Sequence, residues 1–254
     1  MSMGVIIGVS HKTYLGYQAT NTWCRSVAEI LNSAPDVAGD MALFTFPAMP
    51  LIPLALSHFA GTRMQTGAQN VSQYPPGAYT GETSASLLQE MGCRYVEIGH
   101  AERRRHFGET PEIIHQKIAV AFAHGLTPVI CIGEDKPMTE TCAAEVAIGQ
   151  ARALLDPFGG EPLAPLIFAW EPQWAIGAAQ PASDTYIRHV CRQLRDHLRQ
   201  HYGNGCRVIY GGSAGPGLLT RLWPEVDGIF LGRFAHCPGD FAAILDEARQ
   251  LRAS

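Results

Sequence analysis

Ile167-Phe168-Ala169-Trp170-Glu171-Pro172-Gln173-Trp174-Ala175-Ile176-Gly177 carries the pattern from which the rest of the chain is read. Four apolar residues with no polar alternation read as a short strand covered on both faces. A carboxylate follows at once, then a proline and an apolar tip that ends in small residues. Beyond it Ser183 opens a helix, with Ile187, Val190, Cys191, Leu194 and Leu198 at helical spacing and Gly203 closing it. Strand, loop and amphipathic helix together make one βα unit.

The same unit recurs in both directions. Strands are expected at 4–9, 41–46, 64–68, 95–98, 127–131, 167–170, 207–210 and 228–231. Thr110 caps a helix with Pro111 at its first position; Ile113, Ile114 and Ile118 share a face, and Gly125 ends it. The last helix carries Phe241, Ile244, Leu245, Ala248 and Leu251. Eight strands, each followed by a helix, with no long linker or low-complexity segment, predict an α/β fold: one closed (β/α)8 barrel filling a single domain over residues 1–254. A doubly wound open sheet satisfies the same periodicity. In either architecture chemistry belongs just past the C-terminal ends of the strands.

Composition narrows the function. The 254 residues are 46% hydrophobic and 17% charged, an ordinary globular balance, with a net charge of −4 that gives nucleic acid or an anionic membrane no support as a partner. No apolar run approaches the roughly 18 residues of a membrane span, and the start lacks the basic residues and long apolar stretch of a signal peptide. Seven cysteines without a C-x-x-C pair read as reduced, mostly buried thiols. The expected location is the cytoplasm.

Four strand ends carry candidate chemistry. Glu97-Ile98-Gly99-His100-Ala101-Glu102-Arg103-Arg104 follows the fourth strand. It brings a histidine to the pocket face, although for any one of the ten histidines taken alone a structural hydrogen bond is the favoured explanation. Arg104 and Arg105 read as a salt-bridged helix start. Glu171, flanked by Trp170 and Trp174, would be partly desolvated and so a better proton acceptor. Residues 172–182 have the composition of a lid or, equally, of a rigid loop stapled by Trp174. Tyr210-Gly211-Gly212-Ser213-Ala214-Gly215-Pro216 and Phe230-Leu231-Gly232-Arg233 are glycine-rich turns that expose backbone N–H groups, which suits a phosphate.

These segments resemble the signature sequences of triosephosphate isomerase. So do Ala68-Gln69-Asn70, Gly77-Ala78-Tyr79-Thr80-Gly81-Glu82, Cys131-Ile132-Gly133-Glu134 and the early Lys12, all in family order over residues 4–233. The resemblance implies a TIM barrel and an aldose–ketose isomerase that interconverts dihydroxyacetone phosphate and glyceraldehyde 3-phosphate. The roles of base, neutral histidine and closing loop are those of a well-described member of that family. Carried over, Glu171 is the base that moves a proton between neighbouring carbons, and His100 the neutral electrophile. Lys12 supplies positive charge, with Glu102 as its supporting partner. Backbone N–H groups of Gly177, Ser213, Gly232 and Arg233 hold the phosphate. No metal or organic cofactor is implied, and the Thr80 loop implies a homodimer.

The departures gather at the site. The usual Asn-Trp-Lys is Ser10-His11-Lys12, and the smaller Ser10 leaves room at the reacting end of the substrate. Ala101 replaces a serine whose hydroxyl holds the base in the open state. Ala178-Ala179-Gln180 replaces Thr-Gly-Lys in the lid, and Arg233 replaces a glycine of the last phosphate turn. The Gly-Val-Ser-x-Lys opening and Leu-Gly-Arg ending are similar to a branch that handles tetrulose phosphates such as erythrulose phosphate. Three or four carbons therefore stay open.

Two rivals belong to other classes. Gly211-Gly212-Ser213-Ala214-Gly215 fits the G-x-S-x-G nucleophile pattern, with Asp227 and His236 downstream, but the spacing leaves scarcely any room for the intervening elements. A non-catalytic barrel that only binds a phosphorylated ligand is the other; it does not need a retained base, electrophile and cation.

Overall fold

The computed structural model describes residues 4–33, 41–159, 163–176 and 182–253. Its strands are β1 (Ile6–Ser10), β2 (Ala42–Phe46), β3 (Met64–Ala68), β4 (Tyr95–Ile98), β5 (Thr127–Ile132), β6 (Leu166–Trp170), β7 (Cys206–Tyr210) and β8 (Gly228–Leu231). They pair in chain order, all parallel, and β1 closes on β8 with Ile6 opposite Gly228 and Val9 opposite Leu231. That closure excludes the open doubly wound sheet. Around the barrel lie α1 (Tyr17–Ser33), α2 (Ile52–Phe59), α3 (Ala85–Met91), α4 (Ala101–Phe107), α5 (Pro111–Ala123), α6 (Glu140–Leu155), α7 (Asp184–Tyr202), α8 (Leu218–Leu222) and α9 (Pro238–Ala253). Among the described residues no helix is long and apolar enough to cross a membrane.

The uniformly apolar strands follow from burial on both faces. Alternate residues point inward, where Ile6, Phe44, Phe46, Val129, Cys131 and Phe230 belong to the cluster that fills the barrel. Their neighbours Ile7, Val9, Val96, Ile98, Phe168 and Trp170 point outward into the larger layer beneath the helices. Each such side chain contributes about 1.5–3 kcal/mol when fully buried.

Local signals act where the sequence puts them. Thr110 Oγ1 accepts from the Ile113 amide at 3.4 Å and Ser183 Oγ from the Tyr186 amide at 3.3 Å, capping α5 and α7. Ile187, Val190, Cys191, Leu194 and Leu198 are all buried. Ile113 is only half-buried, because the inward face of α5 runs through Ile114, Lys117, Ile118 and Ala121. Leu251 is half-buried too, near the end of α9.

At the N-terminal end of the barrel, Asp227 joins three elements. It accepts from Arg199 at 3.0 Å, Arg207 at 3.2 Å and the Val208 amide at 2.9 Å, with Arg195 at 3.9 Å. Ser213 follows the opposite, C-terminal end of β7. The serine-hydrolase arrangement is thereby excluded: its acid is committed to arginines on the far face.

Candidate active site

A cavity of about 750 Å³ opens at the C-terminal ends of the strands, within the range of small-ligand sites. Lys12, His100 and Glu171 line one end, and the Gly211–Gly215 turn, Gly232 and Arg233 line the other.

Lys12 arrives from the loop after β1 with φ +49, the single non-glycine positive φ among the described residues. Such a conformation costs on the order of 1 kcal/mol or more and persists where its surroundings fix it. Gln69 does so, donating from Nε2 to the Lys12 carbonyl at 2.8 Å and to the Phe46 carbonyl at 3.1 Å. Lys12 Nζ lies 2.8 Å from His100 Nε2 and 3.4 Å from Glu102 Oε2. Burial opposes the ammonium, but Glu97, Glu171 and Glu102 outweigh it and hold its pKa above the ordinary lysine value.

His100 ends the segment after β4 and caps α4. Its Nδ1 accepts from the Glu102 amide at 3.2 Å. A nitrogen that accepts carries no proton, so this contact assigns the proton to Nε2, which donates it to Glu171 Oε2 at 3.1 Å; Lys12 Nζ, 2.8 Å from the same nitrogen, then makes a close charge contact there and turns its own protons toward Glu102. Burial lowers the imidazole pKa; the Glu171 carboxylate, through charge and hydrogen bond, prevails and raises it.

Glu171 is fixed by backbone. Its amide donates to the Ile132 carbonyl at 2.7 Å. A Cβ on Gly133, at φ +157, would stand 1.9 Å from the Glu171 carbonyl oxygen, so only glycine lets β5 approach this closely. On its other side a Cβ on Gly211 would stand 2.5 Å from Glu171 Cγ. The Glu171 carboxylate has a wall on one flank and His100 on the other. The carboxylate's partner is the His100 imidazole, and Ala101 beside it offers no hydroxyl.

The two flanking tryptophans do something the sequence did not suggest. Both indoles turn to Glu134: Trp170 Nε1 at 3.2 Å and Trp174 Nε1 at 2.9 Å, with Tyr186 Oη donating at 2.8 Å. Glu134 therefore ties β6, the first residues after it and α7 into one polar knot. Of the lid, residues 172–176 and 182 are described. Gly177 and residues 178–181, including the Ala178-Ala179-Gln180 departure, lie outside the described residues.

Other expectations resolve individually. Among the described residues Arg104 makes no salt bridge; its guanidinium donates to the Gly99 carbonyl at 2.7 Å and the Cys131 carbonyl at 3.0 Å, holding the end of β4 to β5. Arg103 pairs instead with Glu109, which also takes Lys117. Ser213, Gly232 and Arg233 line the cavity, and the Arg233 guanidinium lies 5.7 Å from the Tyr14 ring centroid, a cation–π distance. All seven cysteines are free thiols, with Cys142 and Cys237 exposed and the others buried. Among the described residues no group of three or more His, Cys, Asp or Glu could hold a metal ion.

Glu97 had no assigned role in the sequence, yet it is a buried carboxyl on the barrel interior beneath this cluster. It accepts from Ser10 Oγ at 2.9 Å and from Cys131 Sγ at 4.0 Å. Burial pushes its pKa up, Lys12 and His100 pull it down, and Glu171 adds to the rise; the net shift is upward. One acidic residue in the apolar run Tyr95-Val96-Glu97-Ile98 was the available signal.

The family model described as triosephosphate isomerase matches residues 5–248. L-erythrulose-1-phosphate isomerase of Pectobacterium atrosepticum is 47% identical over 254 residues, covering 97% of this chain and 96% of that protein. Triosephosphate isomerase of Azoarcus sp. is 39% identical over 77% of this chain and 82% of its own. That of Thermus thermophilus is 37% identical over 81% and 84%.

Proposed function

We propose, from the premise that this chain belongs to the triosephosphate isomerase family, that it moves a carbonyl between adjacent carbons of a short sugar phosphate through an enediolate. On triose phosphates this is the aldose–ketose isomerisation of the family; the preferred substrate is a four-carbon ketose phosphate, on which the same proton transfer carries one ketose to another. One observation carries the reading: Lys12, His100 and Glu171 meet within 3.1 Å at one end of a cavity whose other end is two glycine-rich turns.

Glu171 removes the proton from the carbon beside the carbonyl and returns it to the neighbouring carbon. His100 offers its Nε2 proton to the carbonyl oxygen. The upward pull on His100 comes chiefly from the Glu171 carboxylate. When the base turns to substrate carbon that contact is given up, and burial and Lys12 favour the neutral imidazole. Lys12 stabilises the developing negative oxygen, with Glu102 steadying the ammonium. Backbone N–H groups of Ser213, Gly232 and Arg233, joined by Gly177, hold the phosphate, and the Arg233 side chain adds charge at the same end. Closure of residues 172–182 excludes water.

Chain length follows from the reacting end. Ser10 leaves space where a larger residue would fill it, and the 47% identical relative is named for a tetrulose phosphate. With a 1-phosphate tetrulose, phosphate and carbonyl keep the spacing of dihydroxyacetone phosphate. The same proton transfer then moves the carbonyl from C2 to C3, leaving a hydroxymethyl group beyond it. The enzyme acts as a single domain in the cytoplasm and as a homodimer. The exposed Thr80 loop, braced by Tyr74 stacked on Tyr79 at 4.4 Å, provides the contact.

Purified protein assayed with L-erythrulose 1-phosphate and dihydroxyacetone phosphate, beside Glu171→Gln, tests this. Turnover of the tetrulose, faster than of the triose and reduced at least about a thousandfold by the substitution, is expected. Faster turnover of the triose would overturn the assigned length. Binding without turnover of either would overturn catalysis. Sedimentation velocity of the intact protein checks the dimer.

A further inference from the structure

Glu97 is a buried carboxyl in the barrel interior, one hydrogen bond behind Ser10 of the cavity wall, and the proton transfers just described make no use of it. In β4 it faces inward like Tyr95, while Val96 and Ile98 face outward. Among the described residues its hydrogen-bond donors are the Ser10 hydroxyl at 2.9 Å and, at the sulfur limit of 4.0 Å, the Cys131 thiol. Among the described residues no cation lies within ion-pair distance of it. A carboxylate has about four acceptor sites, and leaving them unfilled in a buried place is costly. Burying such a group needs a compensating use.

Ser10 supplies it. Its side chain ends β1 and lines the cavity. A serine hydroxyl has one proton and two lone pairs. With the proton committed to Glu97 Oε2, Ser10 Oγ can offer the cavity only lone pairs. Without Glu97 the same hydroxyl would rotate freely and serve either polarity.

We infer that Glu97 is a specificity-determining positioning residue. It fixes Ser10 Oγ as a hydrogen-bond acceptor for the terminal hydroxyl that a four-carbon ketose phosphate carries beyond its reacting carbon and a triose phosphate lacks. This rests on the four-carbon reading above and names the device behind it. A site built around a substrate hydroxyl discriminates strongly against a substrate without it, because the buried partner is then left unpaired.

The test measures kcat and KM of the intact enzyme for L-erythrulose 1-phosphate and dihydroxyacetone phosphate in the wild type, Glu97→Gln, Ser10→Ala and the double variant. Glutamine keeps the shape of Glu97 but can donate to Ser10, releasing the serine proton toward the cavity. Glu97→Gln is expected to lower the ratio of the two kcat/KM values, tetrulose over triose, on the order of 10–100-fold, chiefly through KM for the tetrulose. Ser10→Ala should lower the same ratio, and adding Glu97→Gln to it should lower it no further. Equal losses on both substrates, an unchanged ratio, or additive effects in the double variant would each overturn the role of Glu97. If Glu97→Gln does not fold, Ser10→Ala decides: an unchanged ratio overturns the proposal. Failure of the wild type to use the tetrulose refutes the substrate reading instead, which the first measurement reveals before any variant is compared.

Discussion

Replacing Gly211 with alanine should separate the position of the base from the stability of the fold. Gly211 has no positive φ that would strain an alanine, so the backbone accepts the change. The new methyl would stand 2.5 Å from Glu171 Cγ and 2.8 Å from Oε1, where ordinary contact starts near 3.4 Å. Relieving the Cγ contact moves the carboxylate by about 1 Å. The atoms that must give way belong to a side chain, so folding is affected little; loss of glycine's freedom in the unfolded chain offsets part of any cost. Catalysis is less tolerant, because a displacement of about 1 Å in a reacting group reduces rate roughly a hundredfold, or about 3 kcal/mol of barrier. Steady-state kinetics of Gly211→Ala should therefore show kcat down about a hundredfold with KM within a few-fold, and thermal unfolding should move by only a few degrees. A kcat within threefold of wild type would refute the reasoning that this wall sets the base. So would a loss of activity that merely tracks unfolding.

Other predictions rest on separate features. His11, buried between Thr45 and Trp23, has its pKa lowered to about 3 by burial and by His236. The unfolded chain therefore binds that proton first. The contribution is complete above about pH 6.5 and is lost as pH falls toward 3, up to roughly 4–5 kcal/mol in all. Urea unfolding across that range should show a shallower pH slope for His11→Gln than for wild type; identical slopes would refute it. Glu134→Ala leaves Trp170, Trp174 and Tyr186 without their common acceptor and should cost about 2–4 kcal/mol in urea unfolding, with a change in tryptophan emission; a loss under 1 kcal/mol would mean that the knot carries little. Only Cys142 and Cys237 are exposed, so a thiol reagent should label two of the seven cysteines rapidly in the native enzyme. Fast reaction of Cys131, whose pKa burial raises well above the usual thiol value, would contradict its placement.

How far the sequence reaches depends on what decides each feature. Strands were legible because burial on both faces leaves a continuous apolar run; their ends moved by one or two residues, as at Ser10, Ile132, Leu166 and Cys206. Thr110 and Ser183 were legible as caps because a cap acts over three residues. Lys12, His100 and Glu171 were found through ordered motifs, and barrel closure accounts for their meeting. What escaped was contact between distant strands. Glu97 meets Ser10 across 87 positions, and Glu134 meets Tyr186 across 52. Arg104 resembled a surface charge until two carbonyls became its partners. No local pattern predicts the distant pairs, because each exists only once the sheet has curved round; of these contacts only that of Arg104 with the Gly99 carbonyl is local.

The pairing of β1 with β8 also sets a timetable. The first strand waits about 220 residues for its second neighbour, which at ribosomal rates of about 5–20 residues per second means roughly ten to forty seconds with one edge open. Nascent chain thus passes a long interval as an unclosed ribbon, the condition in which strand edges recruit other chains. Lys12 comes from one margin of that ribbon and Arg233 from the other, so the cavity that both line is assembled only after β8 has been made.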